Sequence, residues 1–409
     1  NPALQPVTFV NIEAVEILNS SGVTIPGTAG DDTFTLIRGS GGVQVMLNGG
    51  PAIVVGETPL TVDGLAGINT LVLDFSGGSP IPTGGASFVN IGRYFARGTA
   101  GGDVGVLQRV AGVIQFQFNG GAGIDLPGAT YFQFDGLAGD DTLRGVYAGG
   151  DPVPVNGALF DGGPGDDRLG VFGAGNTATY LPSATTPGSG VVGVDLGTIG
   201  FVNLTPVDIT GMAIVNVVFP NADDIVAVDN GFDFTMGGAT PAIRVSGTTG
   251  GIPFETLALW NNGTVTIDTS SVDGNDAVTI NSATVGNNTN LAVTTGAGSD
   301  TVAIQAGGVS LAGNFTVTSQ AIAVNGPVAS TGGTVALTNA GTLTIGGVTI
   351  SAATAIVQNG SGPVAITGNA NLTTAGTIAI AGAMTLAGGV TATFTSTGSG
   401  AITFSNTID

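Results

Sequence analysis

The sequence predicts an all-β chain of parallel β-solenoid (β-helix) rungs, most regular in the C-terminal third, with glycine-aspartate turns recurring through the N-terminal half. Three observations predict it. No segment sustains an i, i+3, i+4 apolar stripe with caps. Two-residue alternation rich in β-branched residues runs throughout, as in Val43-Gln44-Val45-Met46-Leu47, Ile114-Gln115-Phe116-Gln117-Phe118 and Thr264-Val265-Thr266-Ile267. Apolar triplets also recur at a near-constant step, the mark of stacked repeats.

The step is clearest after residue 300. Val302-Ala303-Ile304, Ile322-Ala323-Val324, Leu343-Thr344-Ile345, Val364-Ala365-Ile366 and Met384-Thr385-Leu386 follow one another at 20, 21, 21 and 20 residues. A second track runs through Phe315-Thr316-Val317, Val335-Ala336-Leu337, Ala355-Ile356-Val357 and Ile378-Ala379-Ile380. Stacked at about 4.8 Å, these triplets would place Ile304, Val324, Ile345, Ile366 and Leu386 in one inward column. A meandering antiparallel sandwich is the competing fold, and the regular step favours the solenoid.

A longer repeat is also present. Phe9-Val10-Asn11-Ile12 aligns with Phe201-Val202-Asn203-Leu204, and the same offset of 192 residues brings Asp31-Asp32-Thr33-Phe34 onto Asp223-Asp224-Ile225-Val226. A partial third copy starts at Phe88 and reaches Gly98-Thr99-Ala100-Gly101-Gly102-Asp103. The expected organisation is a β-repeat region with glycine-aspartate turns over 1–190, a second copy of the repeat block over 191–290, and a solenoid with rungs of about 20 residues over 291–409. Both ends read as strand, so the chain is expected to be a processed product or a piece of a longer polypeptide.

Composition narrows the function. Seven Arg and no Lys stand against 28 acidic residues, a net charge of -21, yet only 9% of residues are charged and 42% are hydrophobic. The chain can bury a core, unlike an acidic disordered protein. Its charge repels nucleic acid and anionic lipid and attracts divalent cations. No stretch has the roughly 20 apolar residues of a membrane helix. Without Cys, His or Lys the usual bases, thiolates and Schiff-base amines are missing. A carboxylate-pair glycosidase or an Arg-based polysaccharide lyase using Arg144 or Arg168 remains the enzyme alternative, and surface pairing of those arginines is the favoured reading. Trp260 reads as core filler rather than a sugar platform, and Tyr94, Phe95 and Arg97 are read with the same caution.

The recurrent motif is Gly27-Thr28-Ala29-Gly30-Asp31-Asp32, repeated as Gly136-Leu137-Ala138-Gly139-Asp140-Asp141 and Gly162-Gly163-Pro164-Gly165-Asp166-Asp167. Weaker copies end at Asp125, Asp276 and Asp300, and Gly64-Leu65-Ala66-Gly67-Ile68-Asn69 has lost the carboxylate. Glycines permit tight turns, and carboxylates with bare carbonyls offer hard oxygen ligands. Two readings stand. The turns hold strands together without metal, or calcium sits at one or more of them, with Asp32, Asp140, Asp141, Asp161, Asp166 and Asp167 as ligands.

These turns resemble the RTX nonapeptide, whose tandem copies bind calcium between adjacent turns of a β-roll; here no two copies lie nine residues apart. More broadly, the Asn11-Ile12-Glu13-Ala14-Val15-Glu16-Ile17 to Asp31-Asp32-Thr33-Phe34 block and the Thr/Gly/Ala-rich run from Val317 to Phe404 resemble giant repetitive bacterial surface exoproteins that mix RTX-like turns with filamentous-haemagglutinin-like repeats. The resemblance implies a secreted, non-enzymatic protein of the cell surface: a filament, surface layer or adhesive stalk. Its expected partners are copies of itself or adjacent repeats, head to tail, and the alternative is a calcium-stabilised adhesin domain that binds carbohydrate or another cell.

Overall fold

The computed structural model describes residues 14–16 and 21–409. All described regular structure is β, with long parallel sheets and no helix. Most of the block beginning at Phe9 lies outside the described residues. The chain divides into two compact units: one reaches Leu143 and takes up Gly149–Gly165, the other comprises Arg144–Ala148 and Asp166–Asp409.

In the second unit the repeat step has a direct structural meaning. From residue 301 each repeat supplies one strand to each of three parallel sheets, always in the same order. Thr301–Ile304, Ala321–Val324, Leu343–Ile345, Val364–Ile366 and Met384–Leu386 form the first sheet. The register joins Ile304, Val324, Ile345, Ile366 and Leu386 in a single column, as the spacing requires. The first four are buried and Leu386 is half-buried. Side chains of this size each gain about 1.5–3 kcal/mol on burial.

The second sheet corrects one detail of the expected phase. Val335 pairs with Ile356 and Leu337 with Gln358, so Ile356 and Gln358 point inward rather than Ala355 and Val357. Gln358 is tolerated there because its amide is saturated. Nε2 donates to Asn339 Oδ1 at 2.7 Å and Gly360 O at 2.8 Å, and Oε1 accepts from the amides of Ala381 and Gly382. The third sheet, Val309–Leu311, Val328–Ser330, Thr349–Ala352, Ala370–Thr374 and Ala392–Ser396, aligns Val309, Val328, Ile350, Leu372 and Phe394.

Earlier in this unit, parallel strands Arg168–Phe172, Pro206–Thr210 and Ile252–Trp260 are interrupted by antiparallel excursions, the longest being Ile225–Phe232 with Pro241–Thr249. Trp260 is buried with Ala242 and Ala258, and Phe172 and Phe234 pack against them.

The first unit stacks Thr33–Gly39, Thr70–Asp74, Arg93–Arg97, Tyr131–Asp135 and Ala158–Asp161 in one parallel ladder and Val23–Pro26, Leu60–Asp63 and Ala86–Val89 in another. Phe34, Tyr94, Phe116, Phe132, Phe134 and Phe160 fill its core. Tyr94 is therefore core, and Arg93 covers the rings of Phe95 and Tyr131. Two antiparallel hairpins, Thr33–Gly39 with Gly42–Leu47 and Val104–Val110 with Val113–Phe118, each start one residue after a motif carboxylate, Asp32 or Asp103. They repeat at 71 residues, down to Arg38 and Arg109 near their tips. Arg38 Nε donates to Ser79 O at 2.7 Å and Arg109 Nε to Asp151 O at 2.6 Å, so each guanidinium clamps the Gly-rich loop that follows.

Candidate functional site

The glycine-aspartate turns are the strongest candidate, and their geometry explains the motif residue by residue. In the first copy Asp32 is buried at 2% exposure. Its carboxylate accepts from Thr28 N at 2.6 Å, Thr28 Oγ1 at 3.1 Å and Asn48 Nδ2 at 2.8 Å. The copy at Asp103 repeats this with Thr99 N at 2.6 Å and Asn119 Nδ2 at 2.7 Å. Asn48 and Asn119 close each hairpin in the left-handed region, and their Oδ1 atoms accept the amides of Thr33 and Val104. The leading glycine is needed for close approach. A Cβ at Gly27, Gly98 or Gly136 would lie 2.5, 2.7 or 2.3 Å from an oxygen of Asp32, Asp103 or Asp141.

The same side chains link successive repeats. The Asp32 amide donates to Asn69 Oδ1 at 3.0 Å and the Asp103 amide to Asp141 Oδ1 at 2.7 Å in the first unit. The Asp224 amide donates to Asp276 Oδ1 at 2.8 Å and the Asp276 amide to Asp300 Oδ1 at 3.0 Å in the second. Asn69, Asp141, Asp276 and Asp300 thus each accept the main-chain N–H of the counterpart residue in the preceding repeat, satisfying a buried donor. Asn69 performs this as well as an aspartate, and its Nδ2 also donates to Gly64 O at 2.9 Å and Asn90 O at 3.0 Å.

The six residues expected to hold calcium separate by environment. Asp32, Asp141 and Asp167 are buried, Asp161 is half-buried, and Asp140 and Asp166 are exposed. Asp32, Asp140, Asp141 and Asp161 belong to the first unit, Asp166 and Asp167 to the second. At Asp32 the surroundings do not fit a cation: both oxygens face N–H and O–H donors, which would point their hydrogens at the metal. Among the described residues, no three Asp, Glu, His or Cys side chains converge as a metal centre requires.

Electrostatics distinguishes the copies. The Thr28 amide, the largest influence, holds Asp32 below the usual carboxylate range. Asp224 is pushed up to about 7, first by burial and then by the carboxylates of Asp276 and Asp223, with Thr249 and Gly250 offering partial compensation. Burial likewise raises Asp276.

Two further buried acids were not anticipated from the sequence. Asp208 accepts from Thr235 N and Thr235 Oγ1, both at 2.6 Å, and from Phe234 N at 3.0 Å, pinning the 233–240 loop over its strand. Burial raises its pKa against these bonds. Its sequence signal is an acid between apolar neighbours in Val207-Asp208-Ile209. Glu255 accepts from Tyr180 Oη at 2.8 Å, and burial raises both groups. Of the two arginines weighed for lyase chemistry, Arg144 donates to Thr235 O. Arg168 borders a shallow depression of about 270 Å³ with Asp166, Phe234 and two threonines.

Comparison with protein families, curated proteins and solved structures found no match in any of the three.

Proposed function

We propose that this chain is a run of β-solenoid rungs from a secreted bacterial surface protein, and that its role is mechanical: a segment of a filament, surface layer or adhesive stalk without a catalytic centre. The observation that carries this reading is the continuous register of the three parallel sheets from residue 301 onward, in which each repeat hydrogen-bonds only to the repeats before and after it. Such a stack transmits load along its axis through backbone ladders and side-chain columns. The buried Asp141, Asp276 and Asp300 support the same reading, because each accepts a backbone amide of the preceding repeat rather than facing an open cleft. Head-to-tail contact with adjacent repeats or with a second copy continues the same pairing, and a heterologous contact of that kind builds open fibres. The net charge of -21 opposes lateral clumping. Analytical sedimentation and negative-stain microscopy of the purified chain at rising concentration test the assembly. Rods or end-to-end oligomers are expected, and a compact particle that stays monomeric at every concentration overturns the proposal.

A further inference from the structure

We propose that the first unit carries a binding cleft for a neutral oligosaccharide, walled by the loop after Asp74 and the loop after Phe118. The inference concerns this cleft alone and does not depend on the chain forming a rod.

The cleft has a volume of about 800 Å³, within the size range of small-ligand sites, about 300–1,000 Å³. Its walls come from two different copies of the 71-residue hairpin repeat. One wall is the Pro-rich loop Ser79-Pro80-Ile81-Pro82-Thr83 that Arg38 of the first hairpin clamps. Arg38 donates to Ser79 O at 2.7 Å and Ile81 O at 2.9 Å and pairs with Glu57, whose Oε2 accepts the Thr83 amide at 2.7 Å. The other wall is the end of the second hairpin, Asn119 to Asp125. There Gln117 Nε2 donates to Gly121 O at 2.6 Å and Gln115 Nε2 to Asp125 Oδ1 at 3.0 Å. Between the walls the rings of Phe75 and Phe118 stack at 4.0 Å. Both loops are therefore held by side chains from outside the cleft, and a ligand meets a preformed site.

Its chemistry selects among ligands. Among the described lining residues Asp125 alone is charged, so an anionic ligand meets a carboxylate without a compensating cation among them. Asp125 is exposed, and Gln115 engages only its Oδ1, so Oδ2 can accept from ligand hydroxyls. The half-buried Phe118 and Ile124 supply apolar surface, and Ser79 and Thr83 supply hydroxyls. A ligand with apolar C–H faces, many hydroxyl donors and no net charge matches this surface, which is the character of a short neutral oligosaccharide.

The test uses the full chain. A broad array of neutral glycans is screened first. Titration calorimetry then follows with cellotriose, maltotriose, triacetylchitotriose and any neutral array hit, with trigalacturonate as the anionic comparison. The expected result is sub-millimolar binding of at least one neutral glycan, loss of at least tenfold in affinity in Ala122→Trp, which fills the mouth from an exposed position, and several-fold weakening in Asp125→Asn, both variants keeping the wild-type melting temperature. Absence of binding across the neutral array overturns the proposal. So does full affinity in Ala122→Trp, or preference for trigalacturonate. The assembly state plays no part in these readouts, so failure here leaves the rod reading standing, and the converse also holds.

Discussion

Replacing Asp224 by Asn should stabilise the protein at alkaline pH and leave it almost unchanged in mild acid. Asp224 has no exposed surface, and its pKa is pushed from 3.8 to about 7 by burial, with the Asp276 and Asp223 carboxylates adding to it. A folded-state pKa above the unfolded value means that the native protein binds more protons between the two. Its stability therefore falls as pH rises from about 4 through about 7 and flattens above. The rise from 3.8 to about 7 corresponds to about 4 kcal/mol as a ceiling, and screening and relaxation at the turn reduce the expected change to about 2 kcal/mol. The column titrates as a coupled set, since Asp276 accepts the Asp224 amide and is itself raised by burial. An amide of the same shape removes the ionisation, and Asn69 shows that it can hold the equivalent place in the first unit. Urea unfolding of wild type and Asp224→Asn at pH 4.5, 6, 7 and 8.5 measures the difference. Acids held below their usual range, such as Asp32 and Asp195, contribute equally to both proteins and cancel. The two should coincide at pH 4.5 and separate by about 2 kcal/mol at pH 8.5, the variant being more stable. Parallel curves across the range, or a less stable variant at pH 8.5, refute the reasoning.

Ile345→Asp places an unpaired carboxylate in the central column and should cost several kcal/mol, read as a lowered urea midpoint or loss of the folded fraction. Gly98→Ala sets a Cβ 2.6 Å from Gly136 O and 2.7 Å from Asp103 Oδ2; a loss of about 1–3 kcal/mol is expected by the cost of overpacking, whereas Gly388→Ala, with nothing within 4 Å, should be neutral in the same melt. Because the Asp32 oxygens are committed to N–H and O–H donors, chelator should leave the melting temperature unchanged within error, and a calcium-dependent rise would show that these turns hold metal after all.

The parts of the fold legible in the sequence are those where large inward residues recur at a constant step. The column from Ile304 to Leu386 met that condition. The second track slipped by one residue at Ala355 because an inward glutamine breaks the apolar alternation, and only its bonds to Asn339, Gly360, Ala381 and Gly382 make it acceptable inside. The third sheet was hidden because its buried positions include Ser330, Ala352 and Ala370, which carry little hydrophobic signal. At the site, the Gly-Asp spacing revealed the turns but not the direction of the carboxylates. Whether a motif side chain faces a cation or a backbone N–H depends on the preceding repeat, tens of residues away: Asn69 Oδ1 meets the Asp32 amide, and Asp141 Oδ1 the Asp103 amide. The 71-residue relation keeps Gly27-Thr28-Ala29-Gly30, Asp32, Leu36, Arg38, Gly41, Gln44 and Asn48-Gly49-Gly50, but it was obscured because most strand positions between them, such as Phe34, Val45 and Leu47, change residue under the same pattern.

The corner between the second and first sheets of the second unit shows why regularity increases toward the C-terminus. Its buried polar residues are first Asp224, Asp276 and Asp300 together with Thr269 and Thr295, then Ser319, Asn339 and Gln358 with no further acid. A carboxylate can only accept, so a column of them satisfies one amide per repeat and adds a like charge at each step; burial raises Asp224 and Asp276 most, and the neighbouring carboxylates add to it. A hydroxyl or amide both accepts and donates. Thr295 Oγ1 donates to Ser319 Oγ at 3.0 Å, and Gln358 donates to Asn339 while accepting from Ala381 and Gly382. Such a column propagates without accumulating charge, and the step of about 20 residues becomes regular where the buried acids end, after Asp300. Extending the acidic corner by Asn339→Asp should therefore destabilise the protein more at pH 8 than at pH 4.5, because the new carboxylate would accept from Gln358 but could no longer donate to Gly341 O or Pro363 O. Equal loss at both pH values in urea unfolding would refute the charge argument and leave only the lost donors as the cause.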